Sequence, residues 1–155
     1  MSFQNLAPTW TTQPLTDPAL AADVVDLMVS LGERQRGTFT VLLCDPDDRY
    51  RATITIDLPS EFEHLAPAGG TAAVRTPDVC SSVLSPIIPA VHTAPGTALI
   101  LALGRPGPPS WPDLDAEWAE AATHLCRAAN VRLLGFYIAA PTRIYQPLPT
   151  PAAAA

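Results

Sequence analysis

Residues Thr38 to Asp57 read TFTVLLCDPDDRYRATITID, and the way this stretch divides decides the fold. Two runs rich in β-branched and apolar residues flank the turn formers Pro46, Asp47 and Asp48, which predicts a β-hairpin. In the second run Ala52, Ile54 and Ile56 alternate with Arg51, Thr53, Thr55 and Asp57, so one face of that strand meets a core. The first run is apolar from Val41 to Cys44 and belongs deeper in the sheet. Asp45, Asp47 and Asp48 read as turn chemistry. A calcium loop needs further oxygen ligands and a closing glutamate, which do not follow.

Helical patterns and strands surround this hairpin. TDPALAADVVDLMVSLGERQ, from Thr16, opens with Asp17 as an N-cap and Pro18 at the first helical position. Leu20, Val24, Leu27, Met28 and Leu31 recur on one face, and Gly32 is expected to end the helix. After a loop over 58–75, with a helical turn at SEFEHL and a short strand at TAAVR, Thr76 and Pro77 open a helix that Pro86 and Pro89 should break. TALILAL, 97–103, is a buried strand. From Pro112 to Asn130, Leu114, Trp118, Ala121, Ala122, Leu125 and Ala129 make another amphipathic helix. VRLLGFYIAA and TRIYQ then form a closing pair of strands. The expected class is α/β (α+β): a mixed sheet of about five to six strands with hairpins, flanked by two to three helices.

The 155 residues suit one domain, expected over 16–147, with an extended N-terminal segment over 1–15 and a flexible Pro/Ala tail over 148–155. Nine arginines and no lysine, with abundant alanine and proline, point to a GC-rich bacterial origin. A net charge of −6 without a basic cluster argues against nucleic-acid binding. No apolar run approaches the roughly 18 residues of a membrane span, and no secretory signal opens the chain, so a cytoplasmic protein is expected.

Catalytic signatures are missing from the text. There is no phosphate-binding glycine loop and no nucleophile elbow. Cys44, Cys80 and Cys126 are widely spaced and read as free buried thiols. His64, His92 and His124 lack metal-ligand spacing, so no cofactor is expected. One segment invites closer reading: GRPGPPSWPDLDAEWAEAA, Gly104 to Ala122, where a rigid turn enters a helix. Capping chemistry assigns Ser110 as N-cap, Trp111 and Pro112 to the first turn, and Asp113 to the third position.

From about Thr38 to Gln146 the order of elements, the hairpin VLLCDPDDRYRATI and the loop RPGPPSWPD resemble the JAB/MPN domain of the RadC type. That family carries a His-x-His pair, then a Ser and, three residues on, an Asp; the histidines and the Asp bind zinc, and a Glu on an earlier strand works with the metal-bound water. Pro109, Ser110 and Asp113 match the end of the motif. The histidine places fall on Leu103 and Arg105, or on Ile100 and Ala102 in the other register, and neither pair ligates metal. The resemblance therefore implies a metal-free relative, a pseudoenzyme whose vestigial or interaction site comprises Arg105, Ser110, Trp111 and Asp113.

Three functions remain in view. The first is a non-catalytic domain that binds a protein partner or its own copy, with Trp10, Trp111 and Tyr145 as anchors. The second is a hydrolase with a degenerate JAB-type site around Arg105, Ser110, Asp113 and a carboxylate such as Glu61. The third is a small-molecule sensor with a pocket between sheet and helix. The edge at Arg143 to Gln146 is where a partner strand could add.

Overall fold

A computed structural model describes residues 6–58 and 76–147. The predicted hairpin is present as β1 (Thr38–Cys44) and β2 (Tyr50–Asp57). Its turn is held by Asp45, whose side-chain oxygen accepts from the backbone N–H groups of Asp47 and Arg49, both at 2.9 Å. Asp48 takes the positive φ of 67° that reverses the chain, a conformation aspartate tolerates better than most residues.

β3 (Ala98–Gly104) lies beside β1, followed by β4 (Arg132–Ala140) and β5 (Arg143–Tyr145), in the order β2-β1-β3-β4-β5. All pairings are antiparallel except β3 with β4, which are parallel. Parallel neighbours need a long crossover, and α5 (Pro112–Ala128) supplies it. The mixed five-stranded sheet with helices on both faces is therefore the α+β architecture expected from the text. Every residue of β3 is buried, which is why its sequence is apolar without alternation.

The two faces hold separate cores. On one, Phe39, Leu101, Leu103 and Phe136 pack against α3 (Thr76–Leu84), α4 (Ile87–His92) and α5, with Trp118 fully buried 5.8 Å from Phe39 between ring centroids. On the other, Leu42, Ile100, Tyr137 and Ile144 meet Ala21, Val24 and Val25 of α1 (Pro18–Met28).

Asp17 caps α1 as expected, its carboxylate accepting from the N–H of Ala19 at 3.1 Å, with Pro18 at the first position. The end differs from expectation. α1 stops at Met28, and a second helix, α2 (Leu31–Arg36), starts at a capping box in which Ser30 and Glu33 each accept the other's backbone N–H. Gly32 therefore lies inside α2, and Gly37, at φ 86°, ends it. Pro86 separates α3 from α4, whereas Pro89 is accommodated in the first turn of α4, where no intrahelical donor is lost. These two divisions make the helices more numerous than the two or three expected.

The N-terminal segment is not merely extended. Trp10–Thr12 form a 3-10 turn, the Trp10 ring packs tilted against Tyr50 with 5.1 Å between centroids, and Pro14 bridges Arg49. The expected helical turn at SEFEHL, the strand at TAAVR, the Pro/Ala tail, Glu61 and His64 lie outside the described residues.

Candidate functional site

The turn between β3 and α5 is organised by a charge pair. Arg105, directly after β3, and Asp115, in the first turns of α5, have side chains 1% and 0% exposed. Arg105 donates from Nε to Asp115 Oδ1 and from Nη2 to Oδ2, both at 2.8 Å, a bidentate fork. Its Nη1 donates to the carbonyls of Pro106 at 3.1 Å and Pro108 at 2.7 Å. Asp115 Oδ2 also accepts from the backbone N–H of Trp111 at 3.0 Å and from the hydroxyl of Tyr145. Burial and the hydrogen bond to Asp115 both hold the Tyr145 hydroxyl above its ordinary pKa. Four segments, the end of β3, the proline turn, α5 and β5, are thereby fastened at one carboxylate.

Each expected site residue finds a definite place. Arg105 is fully buried beneath Trp111, 5.8 Å from its ring centroid, and offers no surface to a partner. Ser110 is exposed and is not the N-cap: that position is Trp111, which has no side-chain cap bond. Pro112 fixes the first helical residue, and the carboxylate of Asp115 reaches back to the N–H of the N-cap residue Trp111, as the return bond of a capping box does. Asp113 is the second helical residue rather than the third position, and it is exposed. The carboxylate that meets Arg105 is Asp115, two residues further on. Its sequence signal was available: it shares the buried face of α5 with Leu114, Trp118 and Ala122, where a carboxylate requires a partner.

The cysteines and His92 belong to the fold as well. Burial pushes the thiols of Cys44 and Cys126 up to about 11 and that of Cys80 up to about 12, so none is a ready nucleophile. His92 hydrogen-bonds the carbonyl of Ala129 through Nε2 at 2.7 Å and ties α4 to the end of α5. Among the described residues no three His, Cys, Asp or Glu side chains converge where a metal could be held.

A different surface is open. Between the α1–α2 junction and the β4–β5 turn lies a groove of about 500 Å³, bounded by Leu27, Val29 and Leu31 on one side and Pro141 to Ile144 on the other. Leu27 and Leu31 are 40% and 60% exposed, and they are the exposed large apolar side chains among the described residues. Beside them Arg34, itself buried, donates to the carbonyls of Val29 at 3.0 Å and Ala140 at 3.2 Å and to Asp26 Oδ1 at 2.7 Å. This guanidinium fixes the wall of the groove by joining α1, α2 and the end of β4. The helical pattern puts Leu27 and Leu31 on a buried face; instead the buried face of α1 is Ala21, Val24 and Val25, which leaves Leu27 outside it, and the break at Val29 and Ser30 places Leu31 at the start of a separate helix.

Comparison with known protein families, curated proteins and solved structures finds no match for this chain. No helix among the described residues is long and apolar enough to cross a membrane.

Proposed function

We propose that this chain is a non-catalytic interaction domain that binds a protein partner through the groove between the α1–α2 junction and the β4–β5 turn. The observation that carries this reading is the placement of Leu27 and Leu31 in water at the mouth of a groove whose wall is fixed by Arg34. Both leucines keep apolar area in water, and burying it against a partner gains on the order of 1–2 kcal/mol each. A catalytic reading of the RPGPPSWPD turn draws less support. Its Arg105 is already engaged by Asp115 and by the turn carbonyls, and its Ser110 and Asp113 are exposed.

Affinity capture from host extract with the wild-type chain and with Leu27→Glu/Leu31→Glu tests the proposal. A specific protein retained by the wild type and lost by the double variant, at unchanged melting temperature, is the expected outcome. Equal retention by both chains, or none by either, contradicts it.

A further inference from the structure

We infer that the occupant of the groove is an extended segment of a protein partner that adds as a strand to the outer edge of β5, carrying apolar residues in alternation with acidic ones. The inference rests on the groove reading above and specifies its ligand.

The backbone phase of β5 points this way. β5 ends the sheet order, and no strand among the described residues pairs with its outer edge. The carbonyl of Ala139 accepts from the N–H of Arg105 at 3.2 Å, so Ala139 is turned towards β3. Because backbone polar groups alternate along a strand, Ile138 and Ala140 bond to their hairpin partners Tyr145 and Arg143. Ile144, opposite Ala139, then directs its N–H and C=O outward, along the same edge that borders the groove. An extended chain laid there satisfies both groups.

Side-chain alternation sets the occupant's chemistry. Ile144 packs on the α1 side of the sheet, so a residue beside it in an added strand falls next to Leu27 and Leu31 and is apolar. Arg143 and Tyr145 project from the opposite face, where the Arg143 guanidinium lies 4.4 Å from the Tyr145 ring centroid. Arg143 is exposed and forms no ion pair among the described residues, so a residue beside it on that face is best acidic. The opposite edge of the sheet is less suited. There the pairing of β2 with β1 is irregular near Arg51, Pro14 bridges Arg49 just before β2, and the groove with its exposed leucines lies at the β5 end instead.

Selection of a random dodecapeptide phage library on the immobilised full chain tests the inference. The expected result is enrichment of peptides alternating apolar and acidic residues. A synthetic enriched peptide should slow amide exchange at Ile144 and bind on the order of tenfold more weakly to Arg143→Glu. Peptides with helical i, i+4 spacing, indifference to Arg143→Glu, or unchanged exchange at Ile144 would overturn it. If such peptides still lose binding to Leu27→Glu/Leu31→Glu, the strand assignment fails while the groove reading stands. If no peptide is enriched, the strand assignment fails outright, and capture from host extract decides the groove reading separately.

Discussion

Asp115→Ala is expected to destabilise the fold by about 3–5 kcal/mol, because it leaves the buried Arg105 guanidinium without its counter-charge. The same change removes the acceptor of the Trp111 N–H at the start of α5 and takes one hydrogen bond from the Tyr145 hydroxyl on β5. Two controls separate this from a general sensitivity of the turn. Tyr145→Phe removes one of the donors to Asp115 and should cost about 1 kcal/mol. Asp113→Ala, on the exposed side of the same helix start, should cost less than about 1 kcal/mol. Urea unfolding of the three variants checks the order. A large loss at Asp113 with a small one at Asp115 would show that the carboxylates had been assigned the wrong roles.

Alkaline pH should weaken the protein steeply. The thiols of Cys44, Cys80 and Cys126 ordinarily titrate near 9 but are pushed up to about 11, 12 and 11 in the fold. Above pH 9 the unfolded chain releases protons that the folded chain retains, so the unfolded state binds fewer protons and stability falls as pH rises. Each thiol contributes a slope of up to about 1.4 kcal/mol per pH unit until its folded pKa is reached. Tyr137, pushed up to about 12 by burial and then by Asp17, acts in the same direction from pH 10 upward. Melting temperatures under reducing conditions should therefore be flat near pH 8 and drop between pH 9 and pH 11. Cys80→Ala/Cys126→Ala should flatten that drop, although the cavities lower its stability at every pH. A wild-type profile level to pH 11 would contradict the burial of these thiols.

The sheet was readable wherever one interaction dominated. β3 is apolar at nearly every position because water reaches none of it, and the hairpin turn is written in Pro46 and three aspartates. Asp17 and Pro18 marked the start of α1 because capping is local chemistry. The misread features depend on distant partners or on a signal that a stronger one masked. Leucine periodicity ran through Val29 and concealed the Ser30–Glu33 capping box that splits the helix. Ser110 and Asp113 resemble both a cap and a metal motif, whereas the role of Asp115 exists only because the sheet brings Tyr145 and Arg105 to it. Nothing in the sequence around Arg34 marks it as buried. Its burial follows from the packing of α1, α2 and β4, which no local pattern encodes.

In the function proposed here the protein acts by binding at the groove, while the RPGPPSWPD turn serves the fold. Hydrogen exchange measured on the purified chain, alone and with the captured partner, addresses it most directly. Slowed exchange confined to residues 26–34 and 141–146, with residues 105–115 unchanged, is the predicted result. Protection that instead falls on residues 105–115 and leaves the groove untouched would contradict it.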